Sequence, residues 1–270
     1  MLKDITFGQY LYGSSPIHRL DPRVKIIFTV LLIVMLFSSD NPVGIALTIF
    51  FCLVLFSIAK VPIRMIGKSI KPIIPIVIFT SLLNMFFMDG DPLLTIWKIT
   101  ITKQGIYFAI ILSLRIVCLI AGSSLLTYTT SPIELTDGIE RLMKPLAKLK
   151  LPVHELAMMM TIALRFIPTL IEETDKIMSA QKSRGASLDT GSFTARIKAL
   201  VPVLVPLFIS SFRRADELAL AMECRCYRGG EGRTRLKQLK LGKIDVIGTI
   251  IFLFVFSAVI ASNYFIPSVI

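Results

Sequence analysis

Apolar runs recur along this chain, and the last two are separated by more than a hundred residues, Ser131 to Lys243, that hold 19 of its 30 Lys and Arg. A run of roughly 20 residues with no charge reads as a membrane helix, because hydrocarbon cannot satisfy backbone N–H and C=O groups and a helix satisfies its own. The runs are Ile26 to Ser39, Val43 to Ala59, Pro72 to Met88, Ile106 to Thr130 and Val246 to Ile266. With 54% apolar residues and a mean hydropathy of +0.74, the chain is expected to be an all-α integral membrane protein. About five transmembrane helices and a large helical region outside the bilayer are expected. Three sections follow: 1–130 with four spans, 131–243 as cytoplasmic helices, and 244–270 as a last span.

The first run is short for a crossing, so a hairpin dipping part-way through the lipid bilayer stays open for the first two, turning at Asp40-Asn41-Pro42. Lys60, Arg64, Lys68 and Lys71 fill one connection with no acid among them, which marks it as cytoplasmic. Arg19, Arg23 and Lys25 place the N-terminus on the same side, and five crossings then put the C-terminus outside. The net charge of +12 is explained by such loops, and no nucleic-acid partner is expected. Met1 to Arg23 has no apolar core and cleavage site, so no signal peptide is expected and the chain is expected to begin at Met1.

Arg115 is the one charge well inside a span. Inserting it costs about 2.5 to 3.5 kcal/mol even on the lower scales, which marks a functional position unless it only packs or snorkels; both readings stand. No Asp or Glu lies inside the spans, which argues against an ion-coupled secondary transporter.

In the polar region, Ser131-Pro132-Ile133-Glu134 has the cap, first-turn proline and acid of a helix start, and that helix should reach about Lys148. Val153, Leu156, Met160, Leu164, Ile167, Ile171, Thr174 and Met178 repeat at helical spacing up to Arg184, about 50 Å of helix. Ile197, Val201, Leu204, Phe208, Ser211, Ala215, Leu218 and Met222 repeat likewise, from about Phe193 to Arg225. Pro168, Pro202 and Pro206 should bend these helices. Each pattern ends on arginine, as Ser183-Arg184-Gly185 and Cys224-Arg225-Cys226, with an aspartate nine residues earlier at Asp175 and Asp216. A cation at a helix C-terminus is favourable by itself, with Gly185 or Gly229 as the stop. The other reading is a guanidinium that enters an acidic groove on a partner. Met158, Met160, Met178 and Met222 suit either a core stripe or a surface that repacks against moving partners.

Phe7-Gly8-Gln9-Tyr10, Ile17-His18-Arg19-Leu20-Asp21-Pro22-Arg23, Ser183-Arg184-Gly185 and Ala221-Met222-Glu223-Cys224-Arg225-Cys226-Tyr227-Arg228-Gly229 together resemble the T component of energy-coupling factor transporters, a family that includes the membrane subunit of cobalt importers. The resemblance covers essentially the whole chain. It implies a scaffold that joins a substrate-binding membrane subunit, the S component, to two ABC-type ATPases for uptake of vitamins or transition-metal ions. It implies that Ser183, Arg184, Gly185, Cys224, Arg225 and Cys226 dock the ATPases, with Asp21, Pro22 and Arg23 in packing or coupling; Arg115 is a further candidate for packing or coupling by its place inside a span. The second motif departs from the Ala-Arg-Gly frequent in that family.

No catalytic residues, metal site or cofactor are expected. Gly67-Lys68-Ser69 lacks the leading glycine of a phosphate loop, with Pro62 in its place. His18 and His154 share no nucleophile or acid at motif spacing, and Cys224-x-Cys226 has no second pair. Cys52 and Cys118 read as small buried hydrophobes. A self-contained secondary transporter is the alternative; a membrane-embedded enzyme lacks a constellation to support it.

Overall fold

The computed structural model describes residues 10–39, 41–88, 91–96, 99–186, 192–229 and 239–265. Phe7 to Gln9 of the first motif, and Asp40, lie outside them. The helices are α1 (Pro16–Arg19), α2 (Pro22–Phe37), α3 (Pro42–Ala59), α4 (Ile63–Ile70), α5 (Ile74–Phe87), α6 (Lys103–Thr129), α7 (Pro132–Met143), α8 (Val153–Ser183), α9 (Phe193–Cys224) and α10 (Lys243–Phe265). Among the described residues the fold is all-α except for a two-stranded antiparallel ribbon, β1 (Pro92–Ile96) with β2 (Ile99–Thr102). Two compact units emerge: Gly8–Gly138 with Gln238–Ile270, and Ile139–Lys237.

The apolar unit is built around α2 and α6, which run antiparallel. The Lys25 ammonium donates to the Thr129 carbonyl at 2.8 Å, and the Arg115 guanidinium donates to the Ser39 carbonyl at 2.6 Å. From 25 to 39 and from 115 to 129 the separation is the same, about 21 Å of helix rise. Gly122 permits the close approach, since a Cβ there would lie 2.6 Å from Leu32 Cδ2. Leu32, Met35, Leu36, Phe51, Cys52, Cys118, Phe252 and Val259 form the core, with the rings of Phe28 and Phe252 stacked at 4.7 Å. Both cysteines are therefore packing residues, as their setting in apolar runs implies.

Among the described residues, five helices are long and apolar enough to cross a bilayer: Pro42–Ala59, Ile63–Phe87, Lys103–Thr129, Val153–Ser183 and Lys243–Phe265. The number agrees with the sequence reading but the set does not. The first expected span falls in α2, whose 16 residues rise only about 24 Å. In its place α8 meets the length and composition test, as the least apolar of the five. The third span also begins earlier than Pro72. Arg64 and Lys68, expected in a loop, sit on α4, which joins α5 through a single 3-10 turn at Lys71–Ile73. Pro72 falls in that 3-10 turn, where its missing N–H interrupts the hydrogen-bond ladder locally without ending the run.

Candidate functional site

In the unit from Ile139 to Lys237, α8 and α9 pair along their lengths. Gln181 Nε2 donates to the Pro202 carbonyl at 3.3 Å, and Arg214 donates to Glu173 Oε2 at 3.0 Å while lying over the Phe166 ring, 5.7 Å from its centroid. The Ser210 hydroxyl donates to the other Glu173 oxygen. Descending contacts on α8 thus meet ascending ones on α9, and the helices are antiparallel. Gln181 repairs a gap in the α9 backbone. Pro206 has no N–H, so the carbonyl of Pro202 one turn earlier loses its helical partner, and the Gln181 amide replaces it. Both helices continue through Pro168, Pro202 and Pro206.

Antiparallel pairing sends the two arginine motifs to opposite ends. Arg184 lies within a turn of Gln181, and Arg225 lies about 35 Å further along α9 from Pro202. Their local geometry is the same. At the first, Gly185 N–H bonds to Lys182 O at 3.0 Å and Ala186 N–H to Gln181 O at 3.0 Å; at the second, Cys226 N–H bonds to Glu223 O at 2.8 Å and Tyr227 N–H to Met222 O at 3.1 Å. This is the paired hydrogen-bond ending in which the residue after the cap turns left-handed. The second stop is therefore Cys226, three residues before Gly229.

Ser183, Arg184, Gly185, Cys224, Arg225 and Cys226 are all exposed. Among the described residues, neither arginine side chain has an acceptor. A guanidinium that caps a helix and keeps its five donors in water is free to bind carboxylates in a bidentate manner. Beside these tips, the expected apolar stripe of α9 stays uncovered: Ile197, Val201, Leu204 and Phe208 are between 44% and 60% exposed. On α8, Leu156 and Met160 are exposed as well, while Val153 and Ala157 are buried. Such continuous apolar surface marks a contact area or a lipid-facing one.

The remaining expected residues belong to the other unit. Asp21 caps α2, accepting Arg23 N–H at 3.0 Å, and binds the Arg23 guanidinium through both oxygens at 3.0 and 2.8 Å. The Asp21 N–H donates to Asp245 Oδ1 at 2.7 Å, and Asp245 Oδ2 accepts Gly242 N–H at 2.7 Å. The Asp-Pro-Arg segment thereby ties the start of α2 to the start of α10. Arg115 holds the end of α2 through Ser39 and, among the described residues, has no carboxylate partner. Sequence reasoning missed Asp245, Glu173, Arg214 and Gln181; only Glu173, an acid on a helix rich in apolar neighbours, carried any local signal. Among the described residues no group of His, Cys, Asp and Glu could hold a metal ion.

A protein-family profile described as "Cobalt transport protein" matches residues 13–236. The chain is 56% identical over 252 residues to the Energy-coupling factor transporter transmembrane protein EcfT of Clostridium kluyveri, covering 93% of each. It is 52% identical over 269 residues to the protein of that name from Acidaminococcus fermentans, covering 99% of this chain and 100% of the relative. With that of Bacillus subtilis it shares 50% over 240 residues, 88% of this chain and 91% of the relative.

Proposed function

Since the chain belongs to the family of cobalt transport proteins and energy-coupling factor transporter transmembrane proteins, we propose that it is the transmembrane scaffold of an ATP-driven importer. It is a multi-pass membrane protein and a transporter subunit. It joins two ABC-type ATPases on the cytoplasmic side to an S component that carries a vitamin or a transition-metal ion across a prokaryotic plasma membrane. Hydrolysis belongs to the ATPases, and the chain converts their closure into movement of the S component.

The observation that carries this reading is the pair of exposed arginine caps at opposite ends of one antiparallel helix pair. Ser183, Arg184 and Gly185 dock one ATPase, and Cys224, Arg225 and Cys226 the other. Closure of the ATPases draws the two tips together and shifts α8 against α9, a change two nucleotide states can bias because each makes different contacts. The uncovered apolar face of α9 is the surface that the S component rides on. Polar groups at one end of the apolar unit support the topology: Arg23, Lys25, Lys60, Arg64 and Lys68 cluster where α2, α4 and α10 begin and where α3 and α6 end. By the positive-inside bias that end is cytoplasmic, which places the N-terminus inside and the C-terminus outside. This topology takes α2, with its 16 residues, as the first crossing and keeps α8 out of the bilayer, consistent with the charges of α8 from Glu155 to Lys182.

The test is reconstitution. Vesicles holding this chain, both ATPases and an S component should accumulate cargo with ATP, and vesicles lacking the ATPases should not. Accumulation by this polypeptide alone would point instead to a self-contained secondary transporter.

A further inference from the structure

Between α3 and α5 the chain carries Lys60, Arg64, Lys68 and Lys71 with no acid. All four are exposed. Arg64 and Lys68 stand one turn apart on α4 and Lys71 follows three residues on, while Lys60 lies just before α4 as the left-handed cap that ends α3. Like charges stacked at that spacing repel and weaken a helix. Among the described residues, none of the four is in an ion pair. The described residues supply no anion to offset the row.

The opposite face of α4 is fixed. Met65 and Ile66 pack against the cluster that includes Leu125 and Tyr128. The Tyr128 hydroxyl donates to the Met65 carbonyl at 3.0 Å, which leaves the Ser69 hydroxyl, 2.5 Å away, as the donor to the tyrosine oxygen. With Met65, Ile66, Ser69 and Ile70 turned inward, the cations must face out.

What lies along the same outward face identifies its surroundings. Beyond Lys71 the row continues at helical spacing as Pro75, Ile78, Leu82 and Phe86, all exposed. One continuous face therefore passes from cations to hydrocarbon within a turn, as a helix does where it leaves the acyl chains and meets the headgroups. An acidic protein surface would complement the cations but not the apolar row that follows them.

We propose that Lys60, Arg64, Lys68 and Lys71 form a binding strip for the phosphodiester headgroups of anionic phospholipids in the leaflet at that end of the apolar unit. Polybasic segments beside a span attract such lipids, and three cations in register with one lipid-facing stripe, with Lys60 beside them at the end of α3, would hold a selected shell rather than a diffuse one. The inference needs only that the chain is embedded in a membrane. It is independent of ATPase docking and fails separately from it.

The experiment is electron paramagnetic resonance on vesicles of phosphatidylcholine containing the full chain and trace spin-labelled phosphatidylglycerol or phosphatidylcholine. The labelled phosphatidylglycerol should be immobilised in severalfold preference at low salt. That preference should vanish in 1 M salt, where screening reaches about 3 Å, and in the Lys60→Gln, Arg64→Gln, Lys68→Gln, Lys71→Gln variant. It should survive Lys60→Arg, Lys68→Arg, Lys71→Arg. No preference in the unmodified chain, or a preference untouched by the glutamine variant and by salt, overturns the proposal. So does a glutamine variant that keeps its lipid preference but no longer binds the ATPases.

Discussion

Arg184 and Arg225 occupy the same position in two copies of one helix ending, and the residue after each is left-handed: Gly185 at φ 88° and Cys226 at φ 56°. Glycine adopts that conformation freely, whereas a side chain there costs about 1 to 2 kcal/mol. The second tip is built on a strained residue and the first is not.

Cys226→Gly should therefore stabilise the end of α9 by about 1 kcal/mol, and Gly185→Ala should weaken the end of α8 by a similar amount. Steric crowding is not involved, because no atom lies within 4 Å of a Cβ at Gly185. Amide exchange at 222–227 and at 181–186 measures both. Unchanged protection in the two variants would contradict the shared geometry.

Asp245, 5% exposed, holds two backbone donors, Asp21 N–H and Gly242 N–H. Asp245→Ala leaves both without this acceptor, at about 1 to 3 kcal/mol for each that stays dry. Thermal unfolding in detergent should fall by several degrees. Recovery of ATPases with the variant at low temperature should be normal, since the arginine tips are untouched.

Glu173 and Arg214 pin the crossing of α8 and α9 with a half-buried pair at 3.0 Å. A double-mutant cycle of Glu173→Gln with Arg214→Met should give a coupling of roughly 0.5 to 1 kcal/mol that shrinks in high salt. A coupling of zero would mean the pair does not hold the crossing.

Burial keeps His18 below its ordinary value of 6.5, with the Leu11 carbonyl opposing and Lys25 reinforcing the shift. A carbonyl can only accept, so Nε2 carries the proton at 3.0 Å from Leu11 O, and Nδ1 accepts from the Ser15 hydroxyl at 2.7 Å. Between its folded value and 6.5 the unfolded chain binds more protons. Stability is complete above 6.5 and falls as the pH drops through that window. Unfolding measured from pH 7.5 to 5.5 should show this slope, and His18→Gln should remove it.

Much of the helical plan was legible because its signals are local. Ser131 caps α7 as its spacing implies, with Glu134 N–H bonded to Ser131 Oγ at 3.3 Å. The patterns ending at Arg184 and Arg225 mark α8 and α9 to within a residue or two. Local signals failed where a weak propensity met a strong context. The helix expected to reach Lys148 gives way at Met143 to a 3-10 segment, Lys144–Leu149, at Pro145. The β1–β2 ribbon lies between the third and fourth apolar runs, a stretch with no helical or membrane signal of its own. The partners that fix Asp21 and Ser39, at Asp245 and Arg115, are 224 and 76 residues away. No periodicity reports contacts over such separations. The arginine motifs could be read because their cap is made within six residues.

The direct measurement is recovery of the ATPases with tagged full-length chain carrying Arg184→Glu and Arg225→Glu together, at equal membrane yield. Loss of both ATPases from the double variant, with weaker binding in each single variant and normal binding after Lys182→Glu and Arg228→Glu, is the predicted result. Undiminished recovery with the double variant would contradict the account.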